Sequence, residues 1–365
     1  MQDGIIAGRL DPVDVGHLDH DLAATPLAHR EALGAVGGGG RISIAMSNAR
    51  RHILVTGGAG FIGSHLVERL LADGKRVVVL DDLSTGSLRN LVSVEKHPGL
   101  QVVVGKVSER PELLGLVANA ECVYHLAAAV GVEMVLKSPI HTIETNLRET
   151  EAILEAAATN SVPVLLTSTS EVYGKSQKDA FSEDDDLIIG SPLQSRWSYA
   201  CSKLMDEFLA LAYARERGLP VVIARLFNTV GPRQTGRYGM VLPRFIEAAK
   251  AGQPLRVFGD GAQTRCFCWV QDCVEALVRL QNCPAARGNI FNIGSTEEVS
   301  IRQLAEQVIR ALDSSSIIEL VPYGQAYAPG FEDMRRRKPL VGRLASKTGF
   351  RPATSLRELI LRTAA

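Results

Sequence analysis

A tyrosine and a lysine four residues apart, Tyr199 and Lys203, are the side chains of this sequence whose types and spacing first suggest chemistry. Residues at this spacing lie on one face of a helix, and residues 199–217 have a helical pattern. A nearby ammonium stabilises a phenolate, so we expect the pKa of Tyr199 to fall toward the working pH range. The pair therefore predicts a general base that takes a proton from a hydroxyl group.

A glycine-rich segment at residues 55–64, Val-Thr-Gly-Gly-Ala-Gly-Phe-Ile-Gly-Ser, precedes this pair in the chain. Gly57 or Gly58 would form a tight turn, Gly60 would let the backbone approach a pyrophosphate, and Gly63 would let a helix pack closely on a strand. The N-terminus of the helix that follows Gly60 presents free N–H groups and the positive end of a dipole to phosphates. The segment predicts a dinucleotide-binding site.

An acidic residue at the end of the second predicted strand, Asp81, lies about 20 residues beyond the glycines, where a ribose-binding carboxylate is expected. It would accept a hydrogen bond from a ribose 2′-hydroxyl and repel a 2′-phosphate, which favours NAD over NADP. Lys203 would also hold the nicotinamide ribose. The predicted NAD-binding residues are Gly57, Gly60, Phe61, Ile62, Gly63, Asp81 and Lys203.

Two hydroxyls and a carboxylate follow the fifth predicted strand, at Thr169, Ser170 and Glu171. Ligands of an open parallel sheet bind just beyond the carboxyl ends of its strands, so this segment is a candidate for substrate-binding and catalytic groups. The alternatives are local backbone hydrogen bonding by the two hydroxyls in a turn, and an exposed loop position for the acid.

Apolar runs alternate with helical patterns from residue 51 onward. The predicted strands are Ile53–Thr56, Arg76–Leu80, Gln101–Gly105, Cys122–Leu126, Val162–Ser168 and Val221–Leu226. The predicted helices are Phe61–Ala72, Ile140–Thr159, Tyr199–Arg217, Leu242–Ala251, Val270–Gln281, Ile301–Leu312 and Leu356–Thr363. Strands with such continuous apolar runs are buried on both faces, and they predict an α/β fold with a doubly wound parallel sheet of the Rossmann type.

The chain divides into three parts by its pattern. Residues 1–50 contain more acids than bases and four consecutive glycines at 37–40, which predicts a flexible N-terminal extension. Residues 51–230 carry the alternating pattern and form the predicted NAD-binding Rossmann domain. Shorter elements after that point predict a smaller C-terminal α/β substrate lobe at 231–365, with some segments returning to the Rossmann domain.

The composition excludes several classes of protein. Lys+Arg and Asp+Glu both number 40, which argues against a protein held on nucleic acid by phosphate contacts. No apolar run approaches the roughly 20 residues of a membrane span, and the first residues lack the pattern of a secretory signal. Six cysteines in 365 residues are not a disulfide framework. We therefore expect a cytoplasmic location, no membrane or nucleic-acid partner, and no metal site.

Five segments together resemble the extended short-chain dehydrogenase/reductase superfamily. They are Gly57–Ser64, His125–Ala128, Thr169–Gly174, Tyr199–Lys203 and Phe227–Arg233. The resemblance extends over residues 51–363. Within the superfamily, the sequence resembles more specifically the NAD-dependent nucleotide-sugar epimerases, dehydratases and decarboxylases. It implies a tightly bound NAD that is recycled within each turnover.

Two segments are similar to those of UDP-glucuronate decarboxylases: Thr-Ser-Glu at 169–171 and Met-Arg-Arg-Arg-Lys-Pro at 334–339. The resemblance implies that Arg337 faces the sugar carboxylate, that Asn228 contacts the sugar or a phosphate, and that Arg265 binds the diphosphate. Oxidation at C4 of a hexuronate gives a β-keto acid, which loses carbon dioxide readily before the ketone is reduced again. The implied catalytic residues are Tyr199, Lys203, Thr169, Glu171 and Arg337, and the implied substrate-binding residues are Ser170, Asn228, Arg265 and Arg337.

The alternative activities are a UDP-hexose 4-epimerase and, third, a nucleotide-sugar 4,6-dehydratase. A neutral hexose would leave Arg337 without a carboxylate partner, which argues against the epimerase. A non-catalytic NAD-binding sensor would not need the hydride-transfer residues. The apolar faces of residues 140–159 and 199–217, together with the resemblance, imply a homodimer that pairs these helices in a four-helix bundle.

Overall fold

Seven parallel strands form the central sheet of the protein. The structure is a computed structural model, and it describes residues 51–365 apart from 132–134, 136, 235–239, 323 and 325–333. These seven strands and six shorter ones outside the central sheet are, in chain order within the described residues, β1 (His52–Thr56), β2 (Val77–Asp81), β3 (Leu100–Val104), β4 (Ala120–His125), β5 (Val164–Thr169), β6 (Val221–Leu226), β7 (Thr229–Val230), β8 (Leu255–Phe258), β9 (Thr264–Cys266), β10 (Cys268–Trp269), β11 (Asn289–Ile293), β12 (Glu298–Ser300) and β13 (Ile318–Val321).

Capping residues mark the ends of some of the helices. In the described residues they are α1 (Phe61–Ala72), α2 (Leu113–Ala118), α3 (Pro139–Asn160), α4 (Trp197–Arg217), α5 (Val241–Lys250), α6 (Val270–Gln281), α7 (Ile301–Ala311), α8 (Gly342–Thr348) and α9 (Leu356–Ala364). Gly218 ends α4 in the left-handed conformation, at a φ of +66° that costs glycine little. Ser300 and Gln303 form a reciprocal capping box at the start of α7.

The sheet has the strand order β11-β6-β5-β4-β1-β2-β3, and every neighbouring pair is parallel. Strands β2 and β3 lie on one side of β1, and β4, β5, β6 and β11 follow in turn on its other side. This reversal opens a crevice beyond the carboxyl ends of β1 and β4, which is where open α/β sheets bind ligands. The predicted doubly wound parallel sheet is confirmed.

Both faces of the sheet are covered by helices. Side chains of α1 and α6, such as Leu66 and Leu277, pack on one face together with Val55 of β1. Side chains of α3 and α4, such as Leu154 and Ala210, pack on the other face. Because both faces are buried, the strands read as continuous apolar runs rather than as alternating ones.

Two features of the sheet differ from the sequence prediction. The third strand was expected to be buried, but β3 is the edge strand, and Val102 and Val104 are 36% and 45% exposed. The seventh strand, β11, was not predicted individually, and it lies at the opposite edge beside β6. Neither its pairing nor the edge position of β3 follows from local sequence, because both depend on which strands are neighbours.

A second hydrophobic cluster forms from elements after residue 240. It joins α5, α7 and α9 with the small sheets β8–β13 and β9–β12, through side chains such as Phe245, Val257, Leu304 and Leu359. Residues 49–365 are one compact unit by their contacts, so the predicted boundary at 230/231 stays a prediction. The predicted N-terminal extension at 1–50 lies outside the described residues.

Candidate active site

A cavity of about 660 Å³ opens beyond the carboxyl ends of the central strands and continues toward α5 and β9. Every residue predicted for binding or catalysis lines it: Gly57, Gly60, Phe61, Ile62, Gly63, Asp81, Thr169, Ser170, Glu171, Tyr199, Lys203, Asn228, Arg265 and Arg337. The fold thus brings together groups from seven separate parts of the chain.

The glycine loop between β1 and α1 forms one wall of the cavity. Gly57 has a φ of +69°, and a Cβ there would lie 2.7 Å from the backbone nitrogen of Ala127, at the end of β4. A Cβ on Gly63 would lie 2.1 Å from the carbonyl oxygen of Gly57, so helix and loop touch at this point. At Gly60 a Cβ would meet only that same oxygen, at 3.1 Å, and the remaining side is open. This bare backbone at the N-terminus of α1 fits a dinucleotide pyrophosphate.

Asp81 lies at the end of β2 with its two carboxylate oxygens on backbone donors. The N–H of Ala59 donates to Oδ2 at 2.9 Å, and the N–H of Leu83 donates to Oδ1 at 2.8 Å. Burial raises the pKa of Asp81, although these two hydrogen bonds oppose the rise. Each oxygen keeps a second lone pair, so the carboxylate can still accept from a ribose hydroxyl.

The expected lowering of the Tyr199 pKa is wrong for this structure. Burial raises the pKa of Tyr199 to about 12, a hydrogen bond with Thr169 opposes this, and the charge of Asp206 adds to the rise. Lys203 Nζ donates to Asp206 Oδ2 at 2.8 Å, one turn further along α4, and both groups are buried. The ammonium is therefore balanced by a carboxylate that the sequence analysis did not single out.

Thr169, Ser170 and Glu171 form the turn after β5. The hydroxyl of Thr169 accepts from the backbone N–H of Glu171 at 3.2 Å, which is the local bonding considered as an alternative. Its neighbour Ser170 is buried at the cavity wall. The Glu171 carboxylate is not an exposed loop acid, because it forms ion pairs with Arg337 and with Arg196.

The two arginines around Glu171 come from distant parts of the chain. Arg196 precedes α4, and its Nη2 lies 3.2 Å from Glu171 Oε2. Arg337 pairs with the other carboxylate oxygen, and its Nη1 lies 3.4 Å from Asn228 Oδ1. Burial lowers the pKa of Arg337 to about 10, so the guanidinium keeps its charge at neutral pH.

A short pairing between residues 181 and 338–340 holds Arg337 in place. The backbone N–H of Phe181 donates to the carbonyl of Lys338, and that of Leu340 donates to the carbonyl of Phe181, both at 2.8 Å. The side-chain amide of Asn292, at the end of β11, donates to the carbonyls of Phe181 and Leu340. The central sheet thus supports the segment that carries Arg337.

Asn228 and Arg265 lie on the side of the cavity toward the second cluster. Asn228 Nδ2 donates to the carbonyl of Cys266 at 3.0 Å, and Arg265 Nη1 donates to the carbonyl of Thr264 at 2.8 Å. The Arg265 side chain belongs to β9 and is mostly buried. Both residues are positioned at the cavity wall, as the resemblance implied, and their ligand contacts stay predictions.

Sequence reasoning did not assign Arg196 or Asp206 to the site. Arg196 was part of a quoted segment, and a cation three residues before Tyr199 was the available signal. Asp206 stands seven residues after Tyr199, on the same helix face as Lys203.

The described residues contain no cluster of three His, Cys, Asp or Glu side chains suited to a metal ion. Within them, no helix has the length and apolar character that crossing a membrane requires.

Comparison with known proteins agrees with this geometry. Residues 53–294 match the model of the NAD dependent epimerase/dehydratase family. UDP-N-acetyl-alpha-D-glucosaminuronate decarboxylase of Bacillus cytotoxicus is 42% identical over 84% of this chain and 94% of its own length. UDP-glucuronic acid decarboxylase 1 of Arabidopsis thaliana is 36% identical over 90% of this chain and 73% of its own length.

A solved structure is also similar. UDP-glucuronic acid 4-epimerase of Bacillus cereus, in complex with UDP-4-deoxy-4-fluoro-glucuronic acid and NAD, has a TM-score of 0.77 and 29% identity. The match covers 86% of this chain and 98% of that one. With its glycine loop, its Tyr-Lys pair and these relatives, the chain belongs to the NAD-dependent epimerase/dehydratase family, a nucleotide-sugar enzyme whose cofactor is NAD.

Proposed function

We propose that this enzyme is a UDP-hexuronate decarboxylase and that UDP-glucuronate is its substrate. The observation that carries the proposal is the position of Glu171 between Arg196 and Arg337, in the cavity that also holds Tyr199 and Thr169. Two guanidinium groups there pair with one carboxylate, and both of them line the cavity.

The guanidinium group of Arg337 at the cavity wall fits a sugar that carries a carboxylate. Arg337 Nε is buried and has no hydrogen-bond partner among the described residues, so it is a donor still to be satisfied. Planar guanidinium groups bind carboxylates with two parallel hydrogen bonds. A neutral hexose would offer this arginine no comparable partner.

Each step of the reaction has a group of this chain to assist it. Tyr199 takes the proton of the C4 hydroxyl, and Thr169 donates to the C4 oxygen as charge develops on it. Arg337 binds the C6 carboxylate of the 4-keto sugar until carbon dioxide leaves. Glu171, whose carboxylate is ion-paired, then passes a proton from water to C5, and Tyr199 returns its proton to the C4 oxygen. NAD, held along the glycine loop, would supply reversible hydride transfer at C4, so no external oxidant is needed.

The relatives support this choice and keep a second candidate in view. The curated proteins compared above are decarboxylases of UDP-hexuronates, one of them acting on the N-acetylated sugar. The 4-epimerase of similar structure was solved with a UDP-glucuronic acid analogue, so a carboxylated sugar can also occupy an epimerase of this fold. The second candidate is therefore a 4-epimerase, as considered from the sequence.

Incubation with three sugar nucleotides separates the candidates. UDP-glucuronate, UDP-N-acetylglucosaminuronate and UDP-glucose would be supplied with NAD, and products would be identified by mass spectrometry and carbon dioxide release. We expect loss of 44 Da, the mass of carbon dioxide, from UDP-glucuronate. Turnover of UDP-glucuronate without loss of mass would favour the epimerase, and turnover of UDP-glucose alone would contradict both uronate activities.

Replacing Arg337 by alanine tests the carboxylate-binding role directly. We expect kcat/KM for the uronate to fall at least 100-fold, because the variant lacks a buried charge partner worth about 3 kcal/mol. The adjacent Arg336→Ala variant is the control, since Arg336 pairs with Glu298 and Asp179 instead of lining the cavity. Equal losses in the two variants would contradict the proposed role.

We also propose that two copies associate through α3 and α4. Exposed apolar side chains follow each other along one face of α4, at Met205 and Phe208, and Ile140 and Ile143 are exposed at the start of α3.

The six cysteines are free thiols, which is compatible with the cytoplasmic location expected from the sequence.

A further inference from the structure

The helix that carries Tyr199 and Lys203 presents a third ionisable group on the same face, Asp206. The three residues are spaced i, i+4 and i+7, so they lie along one stripe of α4. Asp206 is fully buried and Lys203 is 2% exposed. Their ion pair, at 2.8 Å, is therefore formed away from water, at the base of the cavity.

Helix α3 closes the other side of this pair. The hydroxyl of Thr150 lies beside the Asp206 carboxylate and lowers its pKa, whereas burial, the larger effect, raises it. Thr150 is in turn within 3.3 Å of His125 Nε2, and Thr56 is 2.7 Å from His125 Nδ1. Asp206 Oδ1 has no hydrogen-bond partner among the described residues, so the lysine ammonium is the main group that satisfies this carboxylate.

We propose that Asp206 is a positioning residue of the Tyr199–Lys203 pair, which anchors the Lys203 ammonium and balances its charge beside the reacting phenol. A lysine side chain has four rotatable bonds and loses about 2 kcal/mol of rotamer entropy when it is fixed. The Asp206 carboxylate accepts from one of the three N–H donors of Lys203. Fixing that donor also fixes the directions of the other two. The proposal rests on the proposed function only through proton transfer at the sugar hydroxyl, a step that decarboxylase and epimerase share.

The charges around this pair determine what removing Asp206 would do. Besides Lys203 and Asp206, the buried charged residues and histidines on the packed elements are Glu207 on α4 itself, Glu149 on α3, His125 on β4 and Arg225 on β6. Glu207 is paired with Arg225 at 2.7 Å, and Glu149 accepts hydrogen bonds from Val107 and Ser108. Burial keeps His125 neutral above about pH 3. Asp206 is thus the carboxylate that compensates Lys203.

The experiment compares Asp206→Asn and Asp206→Ala with the native enzyme. Asparagine retains an acceptor for Lys203 but removes the negative charge, so the phenol loses proton affinity. The acid limb of the kcat/KM profile should move to lower pH by about one unit, with KM for NAD within twofold of native. Alanine removes the anchor as well, and KM for NAD should rise about fivefold or more because Lys203 would hold the ribose less well.

A surface variant on the same helix, Glu216→Gln, is the control, because Glu216 is exposed. All variants would be assayed on whichever sugar nucleotide the native enzyme converts, and NAD affinity would be measured separately by fluorescence. A decarboxylase assay that fails on the native enzyme therefore overturns only the proposed function. A pH profile of Asp206→Asn that superimposes on the native one overturns the charge-balancing role.

If Asp206→Asn does not fold, Asp206→Glu tests the anchor instead. Glutamate keeps the charge but has a longer side chain, so the acid limb should stay in place while the displaced ammonium raises KM for NAD. An unchanged KM for NAD in this folded variant would overturn the anchoring role.

Discussion

The phenol of Tyr199 lies where burial and the charge of Asp206 act in the same direction, against the hydrogen bond with Thr169. Burial raises its pKa to about 12, and the nearby lysine ammonium is already compensated by Asp206. The types and spacing of these residues were readable from the sequence. The direction of the pKa was not, because it depends on the depth of the phenol and on a carboxylate whose contact with Lys203 only the packed helix reveals.

Replacing Tyr199 by phenylalanine should abolish most turnover while NAD still binds. The variant lacks the group that we propose accepts the sugar proton, and general-base catalysis contributes about 10²- to 10⁴-fold. Initial rates and NAD titration would measure the two properties. Tyr213→Phe, on the same helix but away from the cavity lining, is the control. A Tyr199→Phe variant that keeps more than about a tenth of native kcat would show that another group is the base.

His125 should make the fold sensitive to acid. Burial lowers its pKa to about 3, so between about pH 6.5 and pH 3 the unfolded chain binds a proton that the folded chain does not. The stabilisation is present above about pH 6.5 and is lost at about 1.4 kcal/mol per pH unit as the pH falls.

Urea unfolding at pH 7 and pH 5 would measure this loss, which should be about 2 kcal/mol for this residue. In His125→Gln the drop between the two pH values should shrink by that amount. His97→Gln replaces an exposed histidine and should leave the native pH dependence unchanged. Equal pH dependence in all three proteins would contradict the assignment.

At the scale of elements, the loop between β1 and α1 depends on glycine for two different reasons. Gly57 needs a positive φ, whereas Gly63 needs the absence of a Cβ because α1 touches the loop there. Glycine spacing predicted both, and apolar periodicity placed most helix and strand boundaries within a few residues. The prediction that the third strand is buried was wrong, because a Val-rich sequence looks the same whether the strand has one neighbour or two.

Gly63→Ala should weaken both NAD binding and folding. Its methyl group would lie 2.1 Å from the carbonyl of Gly57, so either the helix or the phosphate-binding loop must shift. We expect a loss of about 1–3 kcal/mol of stability and a clear rise in the Kd for NAD. Thermal unfolding and isothermal titration would measure them.

The control for this variant is Gly115→Ala in α2, where an added Cβ meets nothing within 4 Å. Alanine is the better helix former, so this variant should gain about 0.5–1 kcal/mol without a change in NAD affinity. A Gly63→Ala variant as stable and as tightly binding as Gly115→Ala would contradict the close approach of helix and loop.

At the scale of the whole molecule, the exposed apolar side chains of α3 and α4 have a structural explanation if two copies pair there. Phe208 is 60% exposed and Met205 is 54% exposed, although neither lines the cavity. The same helix carries Tyr199 on another face. Contacts between two copies would therefore stabilise the position of the helix that carries Tyr199. Helix pairing of this kind follows the apolar stripe rather than any catalytic motif.

Phe208→Asp should separate the proposed dimer into monomers. A carboxylate in a helix–helix interface would lose its hydration without a partner, which costs several kcal/mol. Light scattering at micromolar concentration would report about 79 kDa for the native protein, twice the 39.3 kDa chain mass, and the single-chain mass for the variant. Leu320→Asp, at an exposed apolar position on β13, is the control. A native protein that scatters as a 39.3 kDa species would contradict the dimer.

The pairing of residue 181 with residues 338–340 has a consequence for the order in which the protein is completed during synthesis. The ribosome releases the glycine loop at 57–63 long before Arg337, and the segment that carries Arg337 is supported by Asn292 of a late strand. A nascent chain therefore acquires the glycine loop well before the arginine that we propose binds the sugar carboxylate. Synthesis must have passed Arg337 before the proposed site could distinguish an acidic sugar from a neutral one.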